Sequence, residues 1–442
     1  MKTNFLAPAK QNDEMPLKAA KWLFLTYIFF LPLVRPFNFY FLGSQVVITD
    51  FIFPVFFVLM IGAYLRGQFK IRTDKLHIFI ILYGLAHILS VFFSSQPSRG
   101  YAKLPGEFYL FALAFSAFQL FFEQGFIKKI TFAWLLGTGV TVLGTLAGFL
   151  LFYAGLKTKQ DNYFLSHFGS LPAGNYPRLH SLFSNANMMC NYLNVSLMLG
   201  LLAFKLNWLR KLPAKLLQSG IWFAAIFTFS TGIGGLILGT CLWFRAFLLK
   251  SGKNLSGRLL LVIGSAAAAL IFGAALVSPD TGNTDQDFQI PFVDRKFESS
   301  VRVLVWESVI ETFKKQPLTG KGTGTDAAFL DYVTLSGDHQ ILLDAHNNWL
   351  NVLGQTGIIG LVSFLLLNFV LIRKCRFGLD VPDEISSIRL ALSCAFITAF
   401  VYQGLTGSFE DARHLWILIG LLAGASSVRA SENDILTASR EP

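Results

Sequence analysis

The sequence predicts an all-α polytopic membrane protein of about twelve transmembrane helices, with one long outward-facing loop carrying an amphipathic helix. Three observations predict it. Of 442 residues, 53% are hydrophobic and 14% charged, with 46 Phe and a mean hydropathy of +0.53, which leaves too little polar surface to clothe a water-soluble globule. The apolar residues come in continuous runs of about 20, the length that carries a helix across a hydrocarbon core, and lack the alternation of a membrane barrel. Lys and Arg cluster between alternate runs, as in "RGQFKIRTDK", "KLNWLRKLPAK" and "RKCRFGLD", and the positive-inside rule assigns those loops to the cytoplasm. The net charge of +11 is thus topological, and no nucleic-acid partner is implied.

Taken in order, residues 1–20 form a polar cytoplasmic tail without signal-peptide organisation, and the run after it lacks a small-residue cleavage site, so it is expected to be retained. Residues 21–277 hold nine spans, at 21–41, 48–65, 76–94, 104–122, 130–154, 182–204, 216–230, 232–248 and 259–277. A long loop fills 278–343. Spans at 345–372, 388–406 and 414–428 occupy 344–428, and 429–442 is a second cytoplasmic tail. Cys190, Cys241, Cys375 and Cys394 fall in spans or on the cytoplasmic side, without a disulfide framework or metal-type spacing. The spans hold few charges and the halves show no repeat, which argues against an ion-coupled transporter.

Within the long loop, "SSVRVLVWESVIETFKKQP" puts Val301, Leu304, Val305, Val309 and Phe313 at helical spacing, with Glu307, Glu311, Lys314 and Lys315 off the stripe. This reads as a helix lying at the membrane interface, with Arg302 and Trp306 on one flank at i and i+4. The next stretch, "PLTGKGTGTDAAF", is a glycine-rich turn; it lacks the GxxxxGK[ST] spacing of a nucleotide loop and follows no strand. Asp285 and Asp287, in "DQD", read as hydrated loop acids rather than metal ligands.

Four polar places could carry chemistry. "DAHNNWLNVLGQTGIIGL" begins with His346 and Asn347 and continues with Gly354, Gly357 and Gly360 as a small-residue seam. His346 shares the helical spacing of Leu350, Leu353 and Gly357, so the seam is expected to turn it into the bundle. A histidine there is either a wetted helix end or a base. "NYPRLHSLFSNANMMCNYLN" crowds Arg178, His180, Ser184, Asn185, Asn187, Asn191 and Asn194 at the start of a span. A helix cap accounts for one or two of these, and such polar density is costly unless it lines a wet cavity. "FTFSTGIGG" reads as an interhelical turn and "TGSFEDARHLW" as a solvated one.

Together these segments resemble the bacterial O-antigen ligase and polymerase superfamily. "AHNNWLNVLGQTGIIGL" is similar to its His-Asn and L-x-x-x-G-x-x-G signature, "RLHSLFSNAN" to its R-x-x-G-x-F-x-N-P-N element, "TFSTGIGG" to its T-x-S-R-G turn, and "VRVLVWESVIETFKKQPLTGKGTGT" to its R-x-x-x-W helix and P-L-x-G-x-G turn. Ser181, Ala186 and Thr231 depart from the pattern, standing where the family has Gly, Pro and the arginine of S-R-G. The resemblance implies a GT-C-like glycosyltransferase of the bacterial inner membrane, its site facing the periplasm. It implies a glycan donor on undecaprenyl diphosphate, lipid A core or another glycan as acceptor, inversion, and neither metal nor cofactor. His346 would be the catalytic base, and Arg178 and Arg302 would hold the diphosphate. Asn185, Asn187 and Asn347 would orient sugar or base. A polymerase acting on lipid-linked repeats is the alternative, ahead of a protein O-oligosaccharyltransferase or a non-enzymatic exporter.

Overall fold

The computed structural model describes residues 15–35, 39–41, 44–155, 165–171, 174–279, 288–289, 296–333, 339–378 and 384–438. Asp285 and Asp287 lie outside them. The helices are α1 (Met15–Phe30), α2 (Ile48–Leu65), α3 (Lys75–Phe92), α4 (Pro97–Phe121), α5 (Phe126–Tyr153), α6 (Ala186–Lys205), α7 (Lys211–Ile226), α8 (Gly232–Lys250), α9 (Asn254–Ala274), α10 (Val301–Lys315), α11 (Asn348–Lys374), α12 (Glu384–Ala395) and α13 (Arg413–Ala438). The chain continues from α12 through a π-helical stretch, Phe396–Tyr402, and a 3₁₀ turn, Gln403–Leu405.

Among the described residues, nine helices are long and apolar enough to cross a membrane: α2 to α6, α8, α9, α11, and α12 with its continuation. The protein is a multi-pass membrane protein. The other three expected spans correspond to α1 and α7, each of 16 described residues, and the apolar Arg413–Val428 part of α13, so length and composition alone identify nine crossings among the described residues. Burial sorts the bundle. The apolar window of α6 is 83% buried and that of α9 only 17%, so α6 is the central post, and α9 turns residues such as Leu255, Val262 and Leu270 outward, as a lipid-facing helix does.

The architecture is not purely helical. Antiparallel pairs join Phe39–Phe41 to Ser44–Val46, Leu165–Leu171 to Gly174–Leu179, and Leu330–Val333 to His339–Leu342, while Lys296–Ser299 pairs with both Val277–Pro279 and Phe288–Gln289. They fall in the segments that the charge pattern assigns to the outer face or, for Phe39–Phe41 and Val277, at the outer ends of the expected spans 21–41 and 259–277. Hairpins there satisfy backbone groups that would otherwise be left unpaired close to lipid.

The glycine seam does something other than admit a neighbouring helix. At Gly357 the backbone leaves helical geometry (φ 64°, ψ −161°) and α11 kinks. The turn 317–325 fills the break. The Ile358 and Ile359 amides donate to the Pro317 and Leu318 carbonyls (2.9 and 3.3 Å), and the Lys321 and Gly322 amides donate to the Gly354 and Gln355 carbonyls (3.0 and 2.9 Å). Gly320, itself at φ 67°, lies against Gln355 and Gly357 so closely that a Cβ would stand 2.5 Å from their backbone. The same turn is tied to α3, where Ser90 Oγ donates to the Gln355 carbonyl (2.8 Å) and accepts from the Thr323 amide (3.0 Å). The two glycine motifs, P-L-x-G-x-G and L-x-x-x-G-x-x-G, are therefore one structural unit.

The stripe of α10 also finds protein. Val305 and Val309 are fully buried in a small cluster with Ala328 and Ala345, and Val309 reaches Gly354 of α11. Only the half-buried Val301, Leu304 and Phe313 remain for the interface, with Glu307, Glu311, Lys314 and Lys315 exposed as expected.

Candidate active site

His346 is not part of α11. It precedes the N-cap, Asn347, whose Oδ1 accepts from the Trp349 and Leu350 amides (3.0 and 3.1 Å), so the predicted helical register does not apply to it. Instead His346 adopts φ 47°, an uncommon conformation for a residue with a side chain and one that clusters at functional sites. Asp344, two residues earlier, holds it there. Its Oδ1 accepts from the His346 amide (2.6 Å), faces the imidazole Nδ1 at 3.0 Å, and accepts from Ser408 Oγ (2.7 Å).

Burial pushes the Asp344 carboxyl up, but the hydrogen bonds from His346 and Ser408 outweigh it and hold it below the usual carboxylate range. An ionised carboxylate only accepts, so the Nδ1 contact requires the proton on Nδ1 and leaves the Nε2 lone pair free. The imidazole is 43% exposed, open to an incoming group. Because the Asp344 shift is downward, its contribution to stability is complete above the unfolded pKa of about 3.9 and is lost only as pH falls through the lower folded value.

Arg302 is placed by α10. Trp306, one turn along, donates from its indole Nε1 to the Ala345 carbonyl (3.0 Å), the residue before His346, which ties the arginine-bearing helix to the segment of His346. One Arg302 terminal nitrogen donates to the Ala275 carbonyl (3.2 Å), while its Nε is buried with no hydrogen-bond partner among the described residues.

Arg178 lies on the strand Gly174–Leu179, with Nε on the Thr228 carbonyl and a terminal nitrogen on Asn187 Oδ1, both at 3.1 Å. Burial lowers both arginines, and the Arg302 charge lowers Arg178 further, so the two guanidiniums sit within reach of each other's field. Such a pair in a site of low dielectric favours a polyanion.

The segment 402–411 ties these pieces together. Gln403 Nε2 donates to the Asn187 carbonyl (3.0 Å), and Thr406 meets Thr231 hydroxyl to hydroxyl at 2.6 Å. Asn347 Nδ2 donates to the Leu405 carbonyl (3.1 Å), and the Phe409 amide donates to Asn348 Oδ1 (2.6 Å). Asn351 donates to Glu410, while Lys103 pairs with Asp411. Thr231, where the family's arginine would stand, is thus a hydroxyl in this clamp.

The reading of 406–416 as a solvated turn is overturned: Phe409, Glu410 and Ala412 are buried, because side chains from α4 and α11 close over the segment. Burial, then the charges of Asp411 and Asp344, raise the Glu410 pKa well above the usual range, whereas Lys103 holds Asp411 low against burial. A raised carboxyl costs stability as pH climbs above its unfolded value of about 4.3. Glu410→Gln, which mimics the protonated acid and keeps an acceptor for Asn351, is expected to flatten the decline of the melting temperature between pH 5 and 8. Glu410→Ala is expected to cost about 1–3 kcal/mol by leaving Asn351 unpaired. Thermal unfolding in detergent at several pH values reads both.

Of the predicted residues, the structure links the Arg302-bearing helix to the segment of His346 and Asn347 through Trp306 and Ala345, and Arg178 to Asn187 through a direct bond. Asn185 stands apart: it caps α6, accepting from the Met188 amide (2.8 Å), and is exposed. Sequence reasoning passed over Asp344, Ser408 and Gln403. Only Asp344 carried a local signal, since an Asp two residues before another residue can close an Asx turn on its amide.

Residues 217–365 match the family model described as O-antigen ligase. The match covers the interhelical turn at Thr231, α10, the glycine-rich turn, His346 and most of α11, and it bears out the O-antigen ligase and polymerase resemblance drawn from the motifs. No curated protein matches the chain.

Proposed function

We propose that the protein is a membrane glycosyltransferase of the O-antigen ligase type, transferring a glycan from undecaprenyl diphosphate to an acceptor hydroxyl at the periplasmic face of the inner membrane. The observation that carries this reading is the Asp344–His346 pair tied through Trp306 to the helix that bears Arg302, within the stretch that matches the O-antigen ligase family model. In this scheme all twelve helical hydrophobic segments span, and both termini are cytoplasmic.

His346 Nε2 takes the proton of the acceptor hydroxyl while that oxygen attacks the anomeric carbon. The bond from carbon to diphosphate oxygen breaks, and its electron pair leaves on the diphosphate, where Arg178 and Arg302 stabilise the charge. Asp344 fixes the tautomer and stabilises the imidazolium that forms, and the proton leaves later to solvent or the departing diphosphate. Attack opposite the leaving group inverts the anomeric centre. Asn347 orients the base by fixing the start of α11, and Asn187 orients Arg178.

The test is transfer from a lipid-linked glycan in membranes. Arg302→Ala is expected to lose about 2–4 kcal/mol of transition-state stabilisation, roughly 30- to 1,000-fold in kcat/KM. A wild-type rate would move the diphosphate elsewhere. In a deletion strain, lipid-linked polymer accumulating without long glycan on lipid A marks a ligase, and accumulation of single repeats marks a polymerase.

A further inference from the structure

At the end of α5 opposite the one that leads to Arg178, an open groove of about 670 Å³ runs between α1 and α5. Trp22, Leu25, Phe29, Phe132 and Leu136 wall it, and Lys18, Lys21 and Lys129 line it near the starts of the two helices. We propose that this groove binds a phospholipid with an anionic headgroup, its phosphate among the lysines and an acyl chain along the apolar floor.

The dimensions fit one leaflet. From Lys18 to Phe29 the wall of α1 rises roughly 16 Å at 1.5 Å per residue, close to half of a hydrocarbon core about 30 Å thick. The groove therefore runs from headgroup level to near the midplane.

The charges fit a specific anion better than they fit topology alone. The positive-inside bias accounts for cations on this side, but not for an apolar channel that begins at their tips. α5 begins here, after Gly125, with no acidic residue in its first turn, so its positive helix end adds to the lysines and favours an anion. Lys21 is held by Glu123 at 2.7 Å. Lys18 and Lys129 have no carboxylate partner among the described residues, and both are exposed. A free anion would leave the floor unused, and a zwitterionic lipid would bring its own ammonium to the lysines.

The test uses the full chain in nanodiscs of phosphatidylethanolamine with a minor fraction of phosphatidylglycerol. Retained lipids are counted by native mass spectrometry, and stabilisation by added phosphatidylglycerol is read by thermal unfolding. Wild type is expected to retain phosphatidylglycerol above its bulk fraction. Lys18→Gln/Lys129→Gln, which leaves the Lys21–Glu123 pair intact, is expected to lower that retention about tenfold.

Ala133→Phe, which fills the floor without touching charge, is expected to lower it as well. Lys211→Gln/Lys215→Gln, on α7, should leave it unchanged. Retention that survives both groove variants, or that falls equally in the α7 variant, overturns the proposal. So does stabilisation reproduced by inorganic phosphate alone.

Discussion

Replacing His346 with Ala is expected to lower glycan transfer about 10²- to 10⁴-fold in kcat, while the variant inserts and melts as the wild type does. The two halves of this expectation rest on different features. Loss of rate follows from removing an imidazole whose Nδ1 is held by a carboxylate, 3.0 Å away, while Nε2 is left open. Retention of the fold follows because the ring is 43% exposed and fills no core. Removing it takes one hydrogen bond from Asp344, which keeps those from the His346 amide and Ser408. Because the arginines are untouched, the donor KM should change little, so the effect separates from one on diphosphate binding. Undiminished transfer in correctly inserted protein would sink the catalytic assignment. Asp344→Asn gives an intermediate case, since an amide can still accept from Nδ1 but no longer supplies the charge that stabilises an imidazolium.

The second large effect is on stability. Gly320→Ala is expected to destabilise the protein by roughly 2–5 kcal/mol, the sum of a left-handed backbone penalty and overpacking. The new methyl would stand 2.5 Å from the backbone of Gln355 and Gly357, and backbone cannot swing aside as a side chain can. The substitution would unseat the turn from the kink in α11 and with it the amides of Ile358 and Ile359. Gly273, around which a Cβ meets nothing within 4 Å, is the matched control in α9. Equal melting temperatures for the Gly320→Ala and Gly273→Ala variants would show that the turn is not clamped.

Much of the helical layout was legible because a spanning helix writes itself locally, as about 20 apolar residues bounded by charge. The stretch "FTFSTGIGG" holds the turn between α7 and α8 at 227–231, while its glycines open α8 and admit close neighbours there. His346, Arg178 and Arg302 stand out in the sequence because a polar side chain at the edge of lipid is conspicuous.

What stayed hidden is long-range. Nothing in "TGSFEDARHLW" announces that Ser408 reaches Asp344, 64 residues away in sequence, or that Glu410 is buried under Asn351. The register error at His346 has a nearer cause. Helical spacing was extended through a residue that the Asp344 turn and the Asn347 cap place outside the helix.

The kink at Gly357 also decides where this protein can be cut and spliced. The outer part of α11 shares its hydrogen bonds with the turn 317–325, and its neighbour α10 hangs on the same structure through Val309 and Trp306. The stretch from α10 to Gly357 thus behaves as a single cassette, and the lower part of α11 belongs to a different one. A chimera that exchanges only the loop up to residue 343 would sever the cassette through its middle. One joined before α10 and at Gly357, and carrying the Ser90 contact on α3, would move it whole.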